Sequence, residues 1–183
     1  MNAKQTAAWC SACLIVVAGT AACSTSSETE RARPAAGVSG PQRPSVRAQA
    51  LTSPAYFAQA TAADLFLIRA AEIALQRPNS RTRSVALQSK QRHAGLSAQL
   101  ALAGRRLNLL PSRVLPTDYQ QMLGALQSAG DFDRVYLAQQ RQVLGRALRL
   151  HQTYARTGQS PTLRPVAQFG ATTIAAELKR LGQ

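Results

Sequence analysis

The chain has 183 residues, 45% of them hydrophobic and only 5% aromatic, and a formal net charge of +14. That length suits one domain with accessory segments, and its core must be filled by Leu and Ala rather than by large rings. Ala, Leu, Gln and Arg abound while β-branched residues are sparse, and these preferences favour helix over strand.

Lys4 is the single charge before an uncharged stretch from Ala7 to Ala22, centred on Leu14-Ile15-Val16-Val17. Gly19-Thr20-Ala21-Ala22 then lead to Cys23. A charged start, an apolar centre and a small-residue cleavage site make an export signal. The apolar run is shorter than the roughly 20 residues that a membrane-spanning helix needs. Its ending resembles the lipobox of bacterial lipoproteins, where a small pair precedes a Cys that is acylated and becomes the first residue after cleavage. Thr20 stands where that motif usually has Leu. On this reading residues 1–22 are removed and Cys23 is the lipid attachment site. The alternative is an ordinary signal cut after Ala22, which leaves a free thiol.

Cys10 and Cys13 fall inside the discarded segment, so the mature chain keeps one Cys and forms no internal disulfide. Ser24 stands where an Asp would hold a Gram-negative lipoprotein at the inner membrane. An outer-membrane lipoprotein facing the periplasm is therefore expected, with the membrane itself as a partner through several acyl chains. With Lys4 gone, the 22 bases become 21 against 8 acids, a charge of +13. An exported protein meets little nucleic acid, so no nucleic-acid partner is expected. The polyanions within reach are anionic lipid head groups, lipopolysaccharide phosphates and cell-wall carboxylates. Arg105, Arg106, Arg141, Arg146 and Arg149 are the candidate anion-binding residues; the alternative is a solvated basic surface.

Residues 23–52 follow as a tether rich in Ser, Thr, Arg, Pro, Gly and Ala, interrupted by Pro34, Pro41 and Pro44. Such a segment buries too little apolar surface to offset its ordering entropy, and disorder is expected. Its mean reach is roughly 30 Å, from the square-root scaling of flexible chains.

Residues 53–183 read as helices. The first opens at Ser53-Pro54, an N-cap with Pro behind it, and carries Phe57, Leu65, Ile68, Ala71 and Leu75 at helical steps. Pro78-Asn79-Ser80 breaks it. The second spans about 81–107, with Val85, Ala86, Leu96, Leu100 and Ala103 on one stripe. After a proline-bounded connection, Thr117-x-x-Gln120 reads as the capping box of a short third helix ending near Gly130. The fourth starts at Asp131, carries Tyr136, Val143, Ala147 and Tyr154, and stops at Gly158. The fifth opens at Ser160-Pro161 and carries Leu163, Val166, Ile174, Leu178 and Leu181. Two antiparallel hairpins linked through the short helix predict an all-α, ferritin-like four-helix bundle with one short extra helix.

Phe132-Asp133-x-x-Tyr136, Tyr154-Ala155-x-x-Gly158-x-Ser160-Pro161-x-Leu163-x-x-Val166-Ala167 and His93 resemble a bacterial domain-of-unknown-function family, number 4142, often labelled putative outer membrane protein. The resemblance covers roughly residues 55–182 and implies a ferritin-like bundle. That family carries His residues on its long helices. His93 matches the one on the second helix, while Leu144 and Glu177 stand at the positions of those on the fourth and fifth. The histidine set is therefore incomplete here.

Polar groups on core-facing stripes are the informative ones. Asp64 and Glu72 share a face with Ile68, His93 lies between Val85 and Leu100, and Glu177 lies with Ile174 and Leu181. Pairing the first two helices across 78–80 sets Asp64 opposite His93, and pairing the last two sets Glu177 near Arg141 and Leu144. Two readings stand. Asp64, His93 and Glu177 are the candidate ligands of a single metal ion, the one cofactor the pattern allows. Otherwise Asp64 and His93 form a buried hydrogen bond or ion pair, and Glu177 pairs with Arg141 or is exposed. His151 is expected as a partly exposed structural residue. No catalytic residue is assigned: the paired Glu-x-x-His of di-iron sites, a phosphate loop and a nucleophile motif are all missing from the sequence. The functional expectation is a non-catalytic envelope module. A metal-binding stress-protective protein and an anionic-polymer binder are the alternatives.

Overall fold

The computed structural model describes residues 51–77 and 81–182. The signal segment, Cys23, nearly all of the tether and the break at 78–80 lie outside the described residues. Among the described residues there are five helices and no strand: α1 (Ser53–Leu75), α2 (Arg83–Arg105), α3 (Thr117–Gln127), α4 (Phe132–Thr157) and α5 (Leu163–Leu181).

The helix ends show local chemistry at work. Thr52, not Ser53, caps α1: its hydroxyl accepts from the Ala55 amide at 3.3 Å. Ser53 instead turns its hydroxyl to Tyr154 Oη at 2.6 Å. Beyond α2, Asn108 adopts φ 55°, a left-handed turn that Asn tolerates better than most residues. The Leu109 amide then reaches the Gly104 carbonyl at 2.9 Å, closing the helix end as a Schellman turn. The capping box expected at Thr117 is not formed. Thr117 is already helical, Pro116 is the cap residue, and Gln120 Nε2 donates to the Leu115 carbonyl at 2.6 Å. Asp131 caps α4 by accepting from the Arg134 amide at 3.2 Å. Ser160 accepts from the Leu163 amide at 3.3 Å as α5 begins.

The four long helices form a closed ring in which α1 touches α2 and α4, and α5 touches the same two. All four neighbouring pairs are antiparallel. The start of α1 lies against the end of α4 through Ser53 and Tyr154. The start of α2 lies against the start of α4, where Thr82 Oγ1 donates to Asp133 Oδ1 at 3.0 Å. The segment joining α2 to α4 must therefore travel the length of the bundle, about 35 Å for a helix of this size. It carries α3 over the seam between α1 and α4. Two hairpins with one long crossover make the ferritin-like arrangement.

α1 is buried more broadly than its sequence stripe indicates. Tyr56, Ala60, Ala63, Phe66, Leu67, Ala70 and Ala74 are all buried, whereas Leu65 and Ile68 are only half-buried. The cause is its position, with α2, α3 and α4 all packed on it. Where α1 begins, Tyr56 stacks on Tyr154 with ring centroids 4.0 Å apart. Its hydroxyl meets His151 Nδ1 at 2.9 Å. His151 is thus a buried joint rather than the partly exposed residue expected, because α1 and α5 cover it on both sides. Gly170 of α5 is what allows that approach: a Cβ there would fall 2.6 Å from the imidazole. The ring cannot swing away without breaking its bond to Tyr56. Gly170→Ala should therefore destabilise the fold by about 1–3 kcal/mol, the usual range for overpacking, read as a lower urea midpoint at unchanged slope.

Candidate functional site

The polar centre of the bundle is built on His93. α1 brings Asp64, α2 brings His93 and α5 brings Glu177, each almost fully buried. His93 Nδ1 sits 2.8 Å from Asp64 Oδ1, the pairing that the hairpin register predicts. His93 Nε2 sits 3.4 Å from Glu177 Oε2. One imidazole thus lies in line between two carboxylates from different hairpins.

Glu177 is neither exposed nor paired with Arg141, as had been expected. Arg141 Nη2 donates to the Leu181 carbonyl at 2.7 Å. The guanidinium at Glu177 belongs to Arg92, whose Nη1 is 3.9 Å from Oε2. The reason is the antiparallel contact of α2 with α5, which turns Glu177 across the core toward α2. Glu72 also departs from its expected face: it pairs outward with Lys90 at 3.2 Å.

Sequence reasoning missed Ser89 and Gln140, and read Tyr136 only as a core and motif residue. Ser89 Oγ donates to Gln140 Oε1 at 3.2 Å. Tyr136 is fully buried, and burial together with the nearby charge of Glu177 pushes its phenol well above the ordinary range. Ser and Gln at interior helical positions were the available signal, since buried polar groups are costly unless they are partnered.

The electrostatics follow from the line of charges. Burial alone would lower the His93 pKa, but its interactions with Asp64 and Glu177 outweigh that and raise it to about 9. Burial pushes the Asp64 carboxyl up, against the pull of His93. Burial acts on Glu177 in the same direction, but His93, Ser89 and Arg92 together hold it below the usual value. His151 is the opposite case: burial, aided by the positive His93, lowers it to about 4. At neutral pH the core thus holds an imidazolium at His93 and a neutral ring at His151.

A ferritin-like bundle raises the question of a metal. Asp64 and Glu177 engage opposite nitrogens of one ring, so the three candidate donors do not converge on a point. Arg92 would also face any cation placed at Glu177. Among the described residues no group of three or more His, Cys, Asp and Glu is placed to hold a metal ion. The expected ligand trio is brought together, but as an ion triad that does not fit a metal.

The five arginines are not one patch. Arg105 and Arg106 close α2, at the end where Gly104 packs on Phe57. Arg141 reaches Leu181 at the opposite end, and Arg146 pairs with Asp118 of α3 at 3.7 Å. Arg149 is exposed on α4.

Residues 39–183 match the family described as Domain of unknown function (DUF4142). The chain belongs to this family. No curated protein and no solved structure matches it. The residues through which the chain resembles DUF4142 now have structural roles. Phe132 stacks along Tyr136 at 6.0 Å and holds Arg77 over its ring. Asp133 accepts from the Arg81 amide at 2.9 Å. Gly158 lies so close to Tyr154 that a Cβ would come within 2.5 Å of it.

The triad makes stability depend on pH in a defined direction. The His93 pKa rises from 6.5 to about 9 on folding. Its stabilisation is therefore complete below pH 6.5 and is lost as pH rises through about 9. From the linkage relation the loss is on the order of 3 kcal/mol, and His93→Gln should flatten that limb in urea titrations. The His151 pKa falls from 6.5 to about 4, so its contribution is full above pH 6.5 and is lost as pH falls toward 4. His151→Asn should flatten the acid limb.

Proposed function

We propose that this DUF4142 chain is a lipid-anchored helical module of the bacterial envelope that acts by binding rather than by catalysis. The observation that carries the reading is the closure of its polar core. His93 has a carboxylate at each ring nitrogen, and Arg92 covers the outer carboxylate. The crevice leading to Glu177 has a volume of only about 40 Å³, room for water and little more. A reacting substrate needs space beside a proton donor or nucleophile, and the triad offers none.

The larger concavities, of about 380 and 440 Å³, lie instead at the surface on either side of α3. Such an outward-facing, basic bundle suits recognition of something in its surroundings. The anchor reading rests on the order Leu14-Ile15-Val16-Val17, Ala21-Ala22, Cys23. No described helix is long and apolar enough to cross a membrane. A basic domain held near lipid meets anionic head groups and polymers at high local concentration, which suits an anionic envelope partner.

The anchor is tested by fractionating cells that express the full chain. Wild type should sediment with membranes and incorporate labelled fatty acid, and Cys23→Ala should appear in the soluble fraction without label. A Cys23→Ala variant retained in membranes would overturn the reading. The non-metal core is tested separately: Fe²⁺, Zn²⁺ and Mn²⁺ should leave the melting temperature unchanged. A rise that disappears in His93→Ala would count against it.

A further inference from the structure

We propose that the groove bounded by α1, α4 and the start of α3 binds a small amphipathic anion, with its apolar chain on the groove floor and its carboxylate on Arg146. This goes beyond the envelope reading and does not depend on the anchor. The groove has a volume of about 380 Å³, within the range that small-molecule sites occupy. Its floor is Ala62 of α1 with Ala147 and Leu150 of α4, Ala58 lies at its exposed edge, and the Tyr119 ring forms one wall.

Three observations support a built site. The first is why the groove stays open. The chain enters α3 at Pro116, and Tyr119 is the residue of the first turn of α3 that reaches the bundle, where it stacks on Phe66 at 4.9 Å. Alanines on the facing helices leave the space below it unfilled. The second is that the wall is already in place. Tyr119 is half-buried on Phe66, and burial raises its phenol pKa, so it presents a neutral aromatic face. An apolar chain entering the groove orders little that is not ordered already.

The third is the rim charge. Arg146 borders the groove with about half of its side chain exposed, 3.7 Å from an even more exposed Asp118. Such a solvated pair is worth little. A ligand carboxylate can take the guanidinium as a two-pronged partner and leave Asp118 to water. Asp118 and Arg146 are the one acid and the one base lining the groove, so its sign comes from the chain as a whole, which is strongly basic and favours an anion. The concavity on the other side of α3 lacks this division, since Arg69, Glu72, Gln76 and Arg113 are spread around its lining.

The test is calorimetric titration of the purified full chain with decanoate, decanol and decyltrimethylammonium, each below its aggregation limit. Decanoate should bind best and the ammonium compound worst. Arg146→Gln should weaken decanoate roughly tenfold, as loss of a charged hydrogen bond does, and leave decanol unchanged. Asp118→Asn should strengthen decanoate by removing a competitor for Arg146. Ala62→Phe should abolish binding of both by filling the groove, and its far-ultraviolet circular dichroism and melting curve establish that it is folded. If Ala62→Phe does not fold, Ala58→Leu at the exposed edge replaces it. The proposal is overturned if decanoate does not bind, if Arg146→Gln binds it as wild type does, or if the filled groove still binds.

Discussion

Everything at the centre of this bundle depends on one imidazolium held between two carboxylates. The bond from His93 to Asp64 ties α2 to α1 within the first hairpin, and the contact from His93 to Glu177 ties that hairpin to α5 of the second. Alanine-rich helices pack along smooth surfaces and can slide past one another with little change in buried area. A charged triad cannot slide, because moving any member by one turn leaves a bare charge in a dry core. The triad therefore sets the relative height of three helices. With Arg92 at Glu177 the two carboxylates face two cations, so the centre is occupied by its own counter-ions.

The ends of the bundle are held by a different chemistry. At one end Tyr56, Tyr154 and His151 join α1 to α4 by stacking and by a hydrogen bond to a neutral ring. At the other, Asp133 holds the start of α2 from the start of α4. These joints differ from the central triad in their response to pH. The two histidines titrate in opposite directions from the same ordinary value, one raised by carboxylates and one lowered by burial beside the other's charge. The fold is consequently most favoured where His93 is charged and His151 is not.

The crossover gives the surface its shape. α3 buries only Leu126 fully and is held by a few outward contacts: Gln139 Nε2 on the Met122 carbonyl at 2.8 Å, Arg77 Nη2 on the Gln127 carbonyl at 2.7 Å, and the Tyr119 ring on Phe66. A helix lying over a seam without filling it leaves a concavity on each flank. The short helix is thus more than a connector, since it walls the groove in which Arg146 is the cation at the rim.

Much of the fold was legible in the sequence. The helical periods and the Asp131 and Gly158 boundaries follow from propensity and capping, which act within a few residues. The pairing of Asp64 with His93 was legible for the same reason, since a hairpin with a short turn has one register. Glu177 was not. Its position on α5 showed that it faced inward, but its partner depended on which helix α5 would meet across the bundle. The Thr117 box failed because the chain enters α3 from Pro116, whose direction the crossover sets. The burial of His151 depended on Gly170, which is distant in sequence. Local spacing alone thus determined the helices and the first hairpin. Only the tertiary structure decided that Arg92 rather than Arg141 covers Glu177, that the candidate ligands form a line, and that Arg146 stands at a groove. Those contacts join elements whose meeting is set by packing around the whole ring, which no local pattern encodes.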